Sequence, residues 1–174
     1  MERSQILLRC TAKLLKLLEV RPASLVEPRS VAKEREWYGN LLWIDRRKCL
    51  LFTHAETLFS FLVPNVLKRE ILPLGPFFMA RLQSELDSEG LPRETFNRLD
   101  STELRLAKTT DRSVLGCMND LAFQCEYSIV ASGGLAHCDV RDLNHRLRRT
   151  IHSPTGYALP IERAGALSRS PLRD

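Results

Sequence analysis

Apolar residues recur along this chain with two periods, and the places where one period gives way to the other divide it into strands and helices. Gln5-Ile6-Leu7-Leu8-Arg9 predicts a short strand, and Thr11 then stands as a helix N-cap for Ala12 to Glu19, where Leu14, Leu15, Leu17 and Leu18 make an apolar face. Between Val20 and Glu36 the periodicity dissolves: Pro22, Pro28 and alternating charges predict a long surface loop. Trp37 to Ile44 and Lys48 to Thr53 read as an antiparallel hairpin joined by Asp45-Arg46-Arg47. Trp37, Leu41 and Trp43 then share one face, and Tyr38, Asn40, Leu42 and Ile44 the other. Thr57 to Val63 predicts a third meander strand, ended by Pro64-Asn65, although its length also suits a buried helix segment.

The second half is richer in helix. Pro73 and Pro76 punctuate the entry to a helix from Phe77 to Glu89 closed by Gly90, and Pro92 starts a shorter one through Arg98. Ser101 to Thr110 sets Leu104 and Leu106 against Glu103, Arg105 and Lys108, the pattern of a half-buried strand. The longest helix is expected from Arg112 to Ala131, stopped by Ser132-Gly133-Gly134, and a last one from Val140 to Arg149 turns Val140, Leu143 and Leu147 inward. Beyond Ser153-Pro154 the composition shifts to Ser, Arg and Pro. The expected organisation is therefore a single α+β domain over residues 1–154 and a partly disordered tail over 155–174. The domain is expected to have an antiparallel sheet of about five strands packed with four to five helices.

Composition narrows the setting. A chain of 174 residues with 44% apolar content builds one core without disulfides or a structural metal. No stretch approaches the roughly 18 apolar residues of a membrane helix, and the opening residues lack the form of a signal peptide. The five cysteines, Cys10, Cys49, Cys117, Cys125 and Cys138, are odd in number and form no CxxC pair. They point to free thiols in a reducing cytoplasm and away from zinc, and no metal or cofactor is expected. A net charge of +5, from 26 basic against 21 acidic residues, permits contact with nucleic acid or another anion without demanding it.

Candidate chemistry concentrates on the longest helix. Val114, Met118, Leu121, Cys125 and Ile129 form its core stripe, whereas Arg112, Gly116, Asn119, Phe123 and Tyr127, with Asp120 at the margin, form an opposite side that is neither apolar nor freely charged. Such a helix is expected to be flanked on both sides. Gly116 costs about 1 kcal/mol relative to alanine, so another backbone or a ligand is expected to approach it.

Lys108-Thr109-Thr110-Asp111-Arg112-Ser113 leads a strand end into a helix N-terminus, a candidate anion seat in which Asp111 competes as N-cap. Arg9-Cys10-Thr11-Ala12-Lys13 is a second such junction. The plain structural alternatives are an Arg112–Asp120 ion pair, Asn119 serving a neighbouring backbone, Gly116 admitting a close strand, and a simple Thr11 cap with solvated Arg9 and Lys13. Ser113, Cys10 and Cys117 are nucleophiles by residue type alone, without a Gly-x-Ser-x-Gly elbow. His54, His137, His145 and His152 are candidate acids or bases. Arg141, Arg146, Arg148 and Arg149 suit either a phosphate-tracking or a solvated basic face.

Three separated segments also carry a resemblance: Leu8-Arg9-Cys10-Thr11-Ala12-Lys13-Leu14-Leu15-Lys16, then Trp37-Tyr38-Gly39-Asn40-Leu41-Leu42, then Lys108-Thr109 followed by Arg112-Ser113-Val114-Leu115-Gly116-Cys117-Met118-Asn119-Asp120. Over about residues 6–154 the chain resembles a family of small bacterial proteins defined by a domain of unknown function. The resemblance implies a bacterial cytoplasmic protein and brings no activity, cofactor or substrate. It singles out Arg9, Thr11, Lys13, Asn40, Arg112, Ser113, Asn119 and Asp120, to which the strand-end reading adds Lys108. Two functions follow as expectations. One is a non-enzymatic binding or regulatory module with a protein or anionic-ligand partner. The other is a small ribonuclease-like or toxin-like protein acting on nucleic acid, with Arg9, Lys108 and Arg112 on phosphate and Asp120 or a histidine in acid–base work.

Overall fold

A computed structural model describes residues 5–26, 32–96 and 103–170. In chain order they form β1 (Ile6–Cys10), α1 (Ala12–Leu18), β2 (Glu36–Ile44), β3 (Arg47–His54), β4 (Ser60–Val63), α2 (Lys68–Ile71), α3 (Leu74–Glu89), β5 (Leu104–Lys108), α4 (Arg112–Ala131), α5 (Val140–Leu147) and α6 (Pro160–Arg169). The class is α+β, and the strands make one sheet in the order β4-β3-β2-β1-β5.

The meander β2-β3-β4 is antiparallel, as the alternation of its residues predicts, but β1 runs parallel to both β2 and β5. The sheet is therefore mixed, which corrects the antiparallel expectation. The connection from β1 to β2 passes through α1, and such a crossover carries the chain back to its starting end, so the next strand runs in the same sense. The β2–β3 turn is tighter than the expected tripeptide. Asp45 and Arg46 alone bridge it, both with positive φ (51° and 59°), and Arg47 already belongs to β3.

The two faces of the sheet bury different helices. On one, Trp37, Phe52 and Phe61 pack with α1, α3 and α6, and the ring of Phe78 sits 5.3 Å from Trp37 and 5.1 Å from Phe52. On the other, Tyr38, Leu42, Leu51 and Leu62 meet α4 and α5 through Val114, Met118, Leu121, Cys125, Ile129, Leu143 and Leu147. Each large side chain so buried contributes about 1.5–3 kcal/mol. Trp43 lies beyond the packed part of its face and is exposed, with Lys48 Nζ 5.3 Å from its ring centroid.

Several boundaries move for local reasons. Leu58 takes a positive φ, so the third meander strand starts at Ser60. α3 starts three residues earlier than expected because Pro76 lies in its first turn, where a missing N–H costs nothing. The segment after Pro92 forms turns as far as Phe96, and the rest of that expected helix lies outside the described residues. The segment expected as a partly disordered tail contains a packed helix. α6 occupies Pro160–Arg169 and inserts Ala164 into the Trp37 core, and the described structure continues to Ser170.

Candidate functional site

β1 and β5 lie side by side in parallel, with Cys10 opposite Lys108, so the two strand-to-helix junctions of the sequence become neighbours. The helices that follow them, α1 and α4, lie on opposite faces of the sheet. In open sheets such a switch point is the usual ligand crevice. Here the chain fills it. Arg9 is buried and donates to Glu36 Oε1 through Nε at 3.0 Å and Nη2 at 2.8 Å, and to the Lys108 carbonyl at 3.1 Å. Thr11 donates its hydroxyl to Asn40 Oδ1 at 2.9 Å rather than capping α1.

At the head of α4, the Asp111 carboxylate accepts from the Ser113 N–H at 2.8 Å and the Val114 N–H at 3.3 Å, and its other oxygen binds Lys33 Nζ at 2.8 Å. The Lys33 hydrogen bond holds this carboxyl below the usual range against a smaller upward push from burial. A carboxylate of the chain thus occupies the position an external anion would take. The expected seat shared by Arg9, Lys108 and Arg112 is not assembled, because Arg9 is committed to Glu36; Lys13 and Lys108 stand exposed on the surface.

The inward stripe of α4 is buried as the wheel predicts. The outward side is not covered by packing among the described residues, contrary to expectation: Arg112, Gly116, Asn119 and Asp120 are exposed, and Phe123, Tyr127 and Val130 are 70%, 68% and 75% exposed. A Cβ built on Gly116 meets nothing within 4 Å. No strand approaches the glycine, and no ion pair joins Arg112 to Asp120 among the described residues.

What lies beside Gly116 is a cleft of about 490 Å³ between the first half of α4 and residues 151–157. Arg112, Ser113 and Asp120 line it from the helix, and Ile151, His152 and Tyr157 line it from the opposite wall. His152 is only 6% exposed, and its Nε2 is buried with no hydrogen-bond partner. Burial pulls this imidazole below its ordinary pKa, against an upward pull from the Asp120 carboxylate, so the ring is neutral at pH 7. The residue types of a Ser-His-Asp triad therefore share one cleft, yet no hydrogen bond links Ser113, His152 and Asp120. Cys117, also at the cleft, is held as a thiol, because burial and then the Asp120 and Asp111 carboxylates push its pKa up. The arrangement offers hydrogen bonds and charges to a guest without an activated nucleophile.

Sequence reasoning singled out the helix side of this cleft, Arg112, Ser113, Gly116 and Asp120, but not its opposite wall. His152 appeared only among four histidines, and Ile151 and Tyr157 fell at the edge of the supposed tail. Gly156 followed by Tyr157, both at positive φ (63° and 61°), forms the corner that turns this wall back toward the sheet. The glycine was the one local sign of it.

A second cleft of about 490 Å³, between α3 and α5, is lined by Arg81, Glu85 and Asn144. Its central groups are already engaged. The Asn144 amide accepts from the Leu62 N–H at 2.7 Å and donates to the Leu62 carbonyl at 3.1 Å, completing the edge of β4 as another strand would. Arg148, wholly buried, donates to Glu89 at 2.7 Å and Glu85 at 2.8 Å and lies 4.9 Å from the Phe59 ring centroid. Arg149 and Arg146 pair with Glu89 and Asp142. Of the basic cluster read from the sequence, Arg148 alone is buried; Arg141, Arg146 and Arg149 are exposed, and the last two stand in ion pairs at the surface.

His54 is also internal. Its Nε2 donates to the Glu34 carbonyl at 3.0 Å, its Nδ1 lies 2.9 Å from the Thr57 hydroxyl, and burial pulls its pKa down to about 4. Among the described residues no group of three or more His, Cys, Asp or Glu side chains is placed to hold a metal ion, and no helix is long and apolar enough to cross a membrane.

No curated protein and no solved structure matches the chain. A family model does match, from the second residue of β1 to the middle of α6, so it takes in the sheet, the cleft at Gly116 and both of its walls. Over residues 7–163 the match is to a domain of unknown function, DUF6933, and the chain belongs to that family.

Proposed function

We propose that the chain is a non-enzymatic binding or regulatory module of the bacterial cytoplasm, and that its working surface is the cleft beside Gly116. The observation that carries this is the buried, unpartnered Nε2 of His152. A polar atom withdrawn from water without a partner costs about 1–3 kcal/mol, and it stands out because the other buried polar side chains among the described residues are paired, Arg9, Asn144 and Arg148 among them. A ligand that supplies the missing hydrogen bond recovers that cost on binding. Two further features support the same surface: Gly116 keeps the helix wall bare where a side chain would fill the cleft, and the exposed Ile151 and Tyr157 offer apolar contact to a guest. The unlinked Ser113, His152 and Asp120 favour binding over catalysis. Free cysteines, most of them buried, fit a reducing compartment.

The test is a fragment screen by ¹H–¹⁵N NMR on the whole chain, using neutral, acidic and basic compounds. Perturbations gathered at Gly116, Asp120, His152 and Tyr157 that vanish in Gly116→Leu are expected. Hits scattered over the surface, or hits unaffected by that substitution, exclude the cleft as the working surface.

A further inference from the structure

We propose that the Gly116 cleft takes a small zwitterion, a molecule of about amino-acid size carrying a carboxylate and an ammonium group together; this rests on the cleft being the binding surface. Arg112 and Ser113 line one end of its helix wall and Asp120 the other, with the bare Gly116 between them. Eight residues of helix put the Arg112 and Asp120 backbones about 12 Å apart, outside the spacing at which helix neighbours pair with each other. Neither has an ion-pair partner among the described residues, and the two line the same space with opposite charge.

A guest with one charge satisfies one pole and is repelled by the other. An anion drawn to Arg112 faces the Asp120 carboxylate and lies close to Asp111, whose charge is already answered by Lys33. A cation drawn to Asp120 faces the guanidinium. A zwitterion answers both: its carboxylate takes donors from Arg112 and the Ser113 hydroxyl, its ammonium group donates to Asp120, and its remaining body rests on Ile151 and Tyr157. The His152 ring lines the same cleft, and its Nε2 is the group to which a guest adds the hydrogen bond the chain does not provide. The volume of about 490 Å³ lies within the ordinary range for small-molecule sites.

The experiment titrates the whole ¹⁵N-labelled chain with alanine, leucine, phenylalanine and γ-aminobutyrate as zwitterions of different body and charge spacing. Acetate, ethylammonium and inorganic phosphate serve as single-charge probes at equal concentration. At least one zwitterion is expected to shift Gly116 and the His152 ring resonances saturably, at least tenfold more tightly than any single-charge probe. Arg112→Gln and Asp120→Asn, both at exposed positions and checked for folding by circular dichroism, are each expected to weaken it by about tenfold. Equal or tighter binding of acetate, ethylammonium or phosphate in the cleft overturns the zwitterion while leaving the cleft as a binding site. Silence of the cleft toward every probe overturns both. Retained affinity in the two variants overturns the assigned poles.

Discussion

Replacing Gly116 by alanine separates the two roles open to a glycine in the middle of a helix. It occupies the fifth position of α4, with helical backbone on both sides, and a Cβ added there meets nothing within 4 Å. Nothing opposes the intrinsic gain from glycine to alanine in a helix interior, about 0.8–1 kcal/mol. Gly116→Ala is therefore expected to stabilise the chain by about 1 kcal/mol, or roughly 2–4 °C in Tm for a chain of this size.

Gly39→Ala is the contrasting control. Its Cβ would stand 2.9 Å from Leu14 Cδ2 and 3.4 Å from Phe52 Cε1 inside the core, an overpacking of about 1–3 kcal/mol in the opposite direction. Urea titrations followed by circular dichroism read both, and unchanged m-values are expected to confirm that only stability moves. A destabilised Gly116→Ala chain would falsify the open-cleft geometry, because it would mean that another part of the molecule packs against the glycine. A chain stabilised by Gly116→Ala, with cleft binding lost in the larger Gly116→Leu, would assign the glycine to function.

Arg148→Ala leaves Glu89 and Glu85 without their buried partner and is expected to cost about 3–5 kcal/mol by urea unfolding, with Arg148→Met costing less. Burial pushes the Glu89 carboxyl up, but hydrogen bonds and charge from Arg149 and Arg148 override it and hold the group at about 2. Its stabilising contribution is therefore complete above the unfolded value near 4.5 and is lost as pH falls toward 2, a loss that Glu89→Gln should abolish. His54 is likewise depressed, from 6.5 to about 4, so its contribution is complete above pH 6.5 and fades as pH falls through that interval; stability measured between pH 7 and 4 in His54→Gln should lose this slope. Binding to mixed RNA and DNA across a salt series is expected to be undetectable, whereas a steep salt slope that weakens in Arg112→Ala would restore the nucleic-acid alternative.

Local chemistry was legible where the answer depends on neighbours along the chain. α4 runs from Arg112 to Ala131, as the period of Val114, Met118, Leu121, Cys125 and Ile129 requires, with Asp111 as its cap. The β2–β3 hairpin, the Gly90 stop of α3 and the two-sided burial of the meander follow from turn residues and alternation in the same way. Half of the candidate site, Arg112 to Asp120, was legible too, because an unexplained glycine and a mixed polar side of a helix are visible on a wheel.

Partnerships across the fold were decided elsewhere. Whether Arg9 is a free cation or half of a buried pair depends on Glu36 across the sheet, and whether Arg148 is a surface charge or a core residue depends on Glu85 and Glu89 in another helix. The parallel setting of β1, the packing of α6 and the placement of His152 opposite Gly116 have the same origin. Helical and strand periods arise from interactions a few residues apart and are written in composition, whereas the partner of a charge or the far wall of a cleft is chosen by packing of distant segments.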